Sequence, residues 1–147
     1  MAKKKRMEQR LTLITLGVDD LSRSLKFYEQ GLGWKRSAAS QEGIAFFSLG
    51  GIVLSLYSRE SLAEDAQVPA TGNGFSGITL AYNARDRAEV DAVLKLAENA
   101  GADIVKQAQD VFWGGYSGYF RDPDGHLFEV AHNPFWELNE RGEVVLE

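Results

Sequence analysis

In the stretch Tyr119-Phe120-Arg121-Asp122-Pro123-Asp124-Gly125-His126-Leu127-Phe128-Glu129-Val130, two apolar runs flank a compact turn. Pro123 presets its own φ, Asp122 can accept from amides further along the chain, and Gly125 supplies the positive φ that closes a hairpin. The flanks therefore read as antiparallel strands, over Phe112 to Phe120 and Leu127 to His132. Upstream, Ile104 to Gln107 reads as another strand. The spacing of Val90, Val93, Leu94 and Ala97 predicts a helix over Arg87 to Ala100, stopped by Gly101. A strand at Gly77 to Tyr82 precedes it. This half of the chain is a β-α-β-β-β unit.

The first half repeats the order. Leu11 to Val18 alternates as a strand, and Asp19 and Asp20 offer caps for a helix over Leu21 to Leu32 that Gly31 and Gly33 end. Strands follow at Trp34 to Ala38, Ile44 to Leu49 and Ile52 to Tyr57, the last two joined at Gly50-Gly51. Ile14-Thr15-Leu16 and Ile78-Thr79-Leu80 hold the same place in the two halves, which marks an internal duplication. Module one covers about 10–58, a linker with a helical turn at Glu60 to Ala66 covers about 59–75, module two about 76–133, and a C-terminal tail about 134–147. The expected fold class is α+β in one domain of 1–147, with two β-α-β-β-β modules forming curled mixed sheets around a cup. The same pattern also fits a ferredoxin-like α+β domain with no function in its concavity.

Composition narrows the function classes. The 147 residues contain 44% hydrophobic and 25% charged residues, ordinary values for a globular chain. Cysteine is absent, which removes disulfides, thiolate metal sites and cysteine nucleophiles together. The net charge of −5 has the wrong sign for nucleic acid, and no apolar run is long enough to span a membrane. The basic run Lys3-Lys4-Lys5-Arg6 is followed by no apolar stretch of a signal peptide, so a cytoplasmic location is expected.

The hairpin stretch resembles the signature of the vicinal-oxygen-chelate superfamily, which includes glyoxalase, bleomycin-resistance and extradiol-dioxygenase proteins. The run from Leu16 through Val18, Asp20, Leu21 and Ser24 to Phe27-Tyr28 resembles the start of a first module in the same family. With the duplication, the resemblance covers roughly Leu11 to Asn133. In metal-dependent members, the first and last strands of each module each give one ligand, so that four positions line the cup. Here those positions fall on Leu13, Ser55, Gly77 and Glu129, and only Glu129 keeps a carboxylate. Since a catalytic divalent site takes about three protein ligands, the resemblance implies no metal and no cofactor.

Family register and strand parity then place Trp113, Ser117, Tyr119 and Glu129 of module two in the cup, with Ser55 and Tyr57 of module one. One carboxylate, a few hydroxyls and aromatic walls describe a small-molecule site. Phe128 and Val130 should pack under the helices instead. The implied function is small-molecule binding in the cup by a homodimer. The alternative is an enzyme of the lyase, isomerase or dioxygenase type, with Glu129 as catalytic base or as part of an atypical metal site.

Overall fold

The computed structural model describes residues 7–146. The run Lys3-Lys4-Lys5-Arg6 lies outside the described residues. In chain order come β1 (Leu13–Val18), α1 (Leu21–Leu25), β2 (Ile44–Ser48), β3 (Val53–Ser58), α2 (Arg59–Ala66), β4 (Leu80–Asn83) and α3 (Arg87–Ala100). They are followed by β5 (Asp103–Asp110), β6 (Tyr116–Arg121), β7 (Leu127–His132), β8 (Glu137–Leu138) and β9 (Val144–Val145). The first sheet has the order β1-β3-β2 and the second β4-β7-β6-β5. In each, the strand before the helix runs parallel to the last strand, as β1 with β3 and β4 with β7. The mixed α+β class with curled, unclosed sheets is the expected one. No described helix is long and apolar enough to cross a membrane.

Several elements differ from their sequence reading. Trp34 to Ala38 forms no strand, and the first sheet has three strands where the second has four. A side-chain role replaces the strand, because the Trp34 ring packs on Tyr28 and Phe47 with centroids 5.5 and 6.0 Å away. The helix begun by α1 widens to a π-helical segment over Lys26–Gly31, in which the adjacent Phe27 and Tyr28 both point inward and are buried. β4 starts at Leu80, so Gly77 precedes the strand at φ 84°. The C-terminal segment, read as a tail, carries the β8–β9 hairpin.

The helix N-caps give the true register of the duplication. Asp20 accepts from the Arg23 amide and Asp86 from the Glu89 amide. Counting back from each cap pairs Leu80 with Ile14, one pleat from the match of Ile78 with Ile14. The cross-strand partners agree, since Ile14 lies opposite Leu54 and Leu80 opposite Phe128. Ser55 is therefore the counterpart of Glu129, as expected. The counterpart of Leu13 is Thr79 rather than Gly77.

One core serves both halves. Tyr28 lies between the sheets, with ring centroids 6.1 Å from Phe47 and 6.4 Å from Phe128. Phe120 stacks on Phe128 at 4.9 Å, and Val90, Leu94 and Ala97 of α3 are buried in the same cluster. Gly31 lets the helices touch, since a Cβ there would come 2.3 Å from that of Ala100.

The β6–β7 turn locks the halves together. Asp122 accepts from the Tyr28 hydroxyl at 2.6 Å and from the amides of Asp124 and His126. Asp124 reaches into the start of the first helix, accepting from the Asp19 amide, the Arg23 guanidinium and the Ser24 hydroxyl at 2.7 to 2.9 Å. His126 Nε2 donates to the Gly17 carbonyl at 2.8 Å.

Burial first, then the Asp122 carboxylate that accepts its proton, hold the Tyr28 hydroxyl far above the ordinary tyrosine range. The folded state therefore keeps a proton that the unfolded chain gives up above its ordinary pKa near 10, so stability is complete below that pH and falls above it. Urea unfolding midpoints should drop steeply across that alkaline range. Tyr28→Phe should be less stable at neutral pH and show a shallower alkaline loss; parallel curves for the two proteins would refute this account.

Candidate functional site

Strand parity divides each sheet into a core face and an outer face. On β6 and β7, Phe120, Phe128 and Val130 belong to the core, which leaves Ser117, Tyr119, Arg121, Leu127, Glu129 and Ala131 on the outer face. Tyr119 lies directly opposite Glu129 and Ser117 opposite Ala131, while Ala81 of β4 flanks Glu129 on its other side. Three of the residues expected from the sequence thus form one group. Burial, and next the Glu129 carboxylate, push the Tyr119 hydroxyl above its ordinary pKa. Tyr119 remains a protonated donor at neutral pH. Lys106 of β5, unremarked in the sequence, is its cross-strand partner on the other side.

On the first sheet, Ser55 and Tyr57 lie on the face opposite Leu54 and Leu56, which are buried in the core. Ser55 pairs with Thr15 and Phe46, and Tyr57 with Gly17 and Ile44. The Ser55 hydroxyl is fully buried and has no hydrogen-bond partner. Such an orphan costs free energy unless a ligand or water answers it.

Trp113 is placed differently from its sequence reading. β6 begins at Tyr116, and Trp113 sits in the tight β5–β6 connection, where the Gly114 amide donates to Val111 and the Val111 amide to Gly115. Parity does not apply in a turn. The ring folds back on its own loop, and a Cβ at Gly115 would come 1.8 Å from it. The neighbouring glycines are explained by close packing: Phe135 lies against Gly114, and Leu94 and the β5 backbone against Gly118.

A cleft of about 220 Å³ opens where the end of β1 meets the second module. Thr15 and Gly17 form one wall, Arg121 and Leu127 the other, and Phe75 and Ile78 of the linker lie alongside. None of the six expected residues lines it, yet most stand beside it. Thr15 and Gly17 are the cross-strand partners of Ser55 and Tyr57, and Arg121 and Leu127 follow Tyr119 and precede Glu129 by one pleat. A second cleft of about 370 Å³ lies between β4 and the C-terminal hairpin, whose turn carbonyls at Asn139 and Glu140 accept from Arg85.

The four positions that would ligate a metal carry Leu13, Ser55, Thr79 and Glu129. This donor set does not fit a divalent ion: it has one carboxylate, two hydroxyl side chains and one aliphatic residue. Among the described residues, no three His, Cys, Asp or Glu side chains converge. His132 bonds the Ala84 carbonyl and His126 that of Gly17, so both imidazoles already hold structural partners.

The sequence model described as Glyoxalase/Bleomycin resistance protein/Dioxygenase superfamily matches residues 10–130. The chain is 30% identical to the metallothiol transferase FosB of Shouchella clausii, over 80% of this chain and 75% of that one. It is 31% identical to the anthracycline biosynthesis protein DauV of a Streptomyces species, over 78% of this chain. It spans 44% of the length of that relative. Among solved structures, a glyoxalase-related enzyme from Fulvimarina pelagi superposes with a TM-score of 0.86 at 36% identity, covering 94% of this chain and 98% of that one.

Neighbours on β7 should respond in different assays. Phe128→Ala opens the shared core and should cost about 3–5 kcal/mol in denaturant unfolding. Glu129→Gln keeps the shape of an outer-face side chain and should stay within about 0.5 kcal/mol of the parent. The same Glu129→Gln change should move the Tyr119 titration down toward the ordinary tyrosine value, followed by NMR of labelled tyrosine. An unfolded Glu129→Gln protein, or an unmoved Tyr119, would show that the face assignment is wrong.

Proposed function

The chain belongs to the Glyoxalase/Bleomycin resistance protein/Dioxygenase superfamily, and on that premise we propose that it is a cytoplasmic, homodimeric protein that binds a small organic molecule between its two modules without a divalent metal. The observation that carries this reading is the cleft between β1 and the β6–β7 hairpin. Its walls are the immediate neighbours of Ser55, Tyr57, Tyr119 and Glu129, so a molecule seated there meets apolar surface and a few polar groups. The orphaned Ser55 hydroxyl lies one strand away. The donor set supports the metal-free half of the proposal. For the same reason the thiol-transferase chemistry named for FosB is not carried over to this chain.

A second reading has one observation in its favour. Glu129 stands beside a tyrosine hydroxyl whose proton is held above its ordinary pKa, and a carboxylate next to a protonated donor can serve proton transfer. In that reading Glu129 is the base of a metal-free lyase or isomerase.

Native mass spectrometry of protein purified without added ligand tests the first reading, together with elemental analysis. A co-purifying organic molecule is expected, with metal content far below one equivalent. One equivalent of transition metal, lost in Glu129→Gln, would overturn it.

The dimer rests on surface. Phe112 is wholly exposed, Phe135 is 75% exposed beside the half-exposed Trp136, and among the described residues the outer edges of β2 and β5 carry no partner strand. Light scattering at micromolar concentration should give the mass of two chains. A monomer mass would remove the homodimer from the proposal.

A further inference from the structure

The cleft between the modules has a chemical polarity that narrows its ligand. Arg121 lines it from the outer face of β6, and no ion pair among the described residues involves that guanidinium. The acidic side chains nearest in sequence are committed elsewhere: Asp122 to Tyr28 and its own turn, and Asp124 to the start of the first helix. Asp103 stands directly across from Arg121 on β5 and Glu129 shares the outer face one pleat away, and neither makes a salt bridge with Arg121. In a chain of net charge −5, an arginine that lines a cleft and forms no ion pair among the described residues is free to take an anion.

A further side of the cleft is apolar and comes from the segment that leads into β4. Phe75 and Ile78 line it while remaining 69% and 64% exposed. The backbone around Phe75 is built from glycines in left-handed conformations, with Gly72, Gly74 and Gly77 at φ 144°, 81° and 84°. A Cβ at any of these three would meet nothing within 4 Å, so their conformation, not crowding, calls for glycine. The segment therefore presents a large aromatic ring at the cleft on a backbone that no ordinary residue would hold in place.

We propose that this cleft takes an organic acid, an anionic head group bound by Arg121 and an apolar or aromatic body covered by Phe75 and Ile78. The inference rests on the small-molecule reading above and adds the class of ligand. Arg121 supplies a charge-assisted, two-pronged bond to a carboxylate, and Thr15 also lines the cleft. Phe75 loses its exposure when the body of the ligand lies against it. Neither residue holds the core together, so both can be changed without unfolding the chain.

The test is an NMR titration of the full chain with phenylacetate and, in parallel, with uncharged phenylacetamide. Phenylacetate should shift the amides of Gly17, Phe75 and Leu127 and bind at least about tenfold more tightly than the amide, the scale of one charge-assisted hydrogen bond. Arg121→Gln should bring phenylacetate down to the affinity of phenylacetamide. Phe75→Ala should weaken both probes severalfold and keep the preference for the acid. Equal binding of acid and amide at the cleft, untouched by Arg121→Gln, would overturn the anion assignment while leaving small-molecule binding intact. Shifts confined to other surfaces, or none with either probe, would overturn the site itself, whatever native mass spectrometry finds bound elsewhere.

Discussion

The two carboxylates of the β6–β7 turn are the constraint on which the arrangement depends. Asp122 organises its own hairpin and accepts a hydrogen bond from the most buried tyrosine of the other half; Asp124 supplies acceptors to an amide, a hydroxyl and a guanidinium at the start of the first helix. These are charged groups withdrawn from water, and their cost is answered by donors drawn from both halves. Apart from them, the shared contacts are the His126–Gly17 hydrogen bond and apolar packing, which fixes proximity but not orientation. The cleft between the modules inherits its geometry from this lock, since Arg121 and Leu127 directly flank the turn and His126 binds β1 at Gly17.

The placement of chemistry follows from packing on the other side. Phe120, Phe128 and Val130 must enter the core, and strand alternation then leaves Tyr119, Arg121 and Glu129 on the outer face regardless of function. Gly118 serves the same division, because Leu94 and the β5 backbone occupy the room that a side chain would need. The candidate site is the face that core packing leaves over, with Ser55, Ser117 and Ala131 buried within it and Arg121 exposed at its end.

Much of this was legible in the sequence, for reasons that differ from element to element. The limits of α3 matched residue for residue because an amphipathic repeat, an aspartate cap and a terminal glycine all agree. The hairpin followed from turn chemistry, which is local, and the grouping of Ser117, Tyr119 and Glu129 from parity once the family resemblance had set which face Phe120 and Glu129 take. Trp113 was misplaced because parity assumes an unbroken strand, and the Gly114-Gly115 pair that ends the strand was taken as part of it. The segment from Trp34 to Ala38 has strand composition, yet the Trp34 ring is drawn to Tyr28 and Phe47, a tertiary contact that no window of sequence contains. The pairing of Asp124 with Arg23 and Ser24 joins residues about a hundred positions apart and was equally invisible.

Replacing metal ligands changes what kind of chemistry such a face can do. A divalent ion polarises a substrate by its own charge; without one, polarisation falls to side chains whose protonation is set by their neighbours. Here Tyr119 keeps its proton because burial and Glu129 both oppose its ionisation, so it stands as a hydrogen-bond donor next to a carboxylate acceptor. Arg121, one pleat along, adds a fixed positive charge. A cation, a neutral donor and an acceptor therefore follow in order along two adjacent strands, and of the three Arg121 lines the cleft. Under the organic-acid proposal, that order favours an anionic end at Arg121 and opposes a cation there by direct repulsion. Selectivity by sign and spacing is available to this face without a metal, through residues that the fold needs only for their backbone.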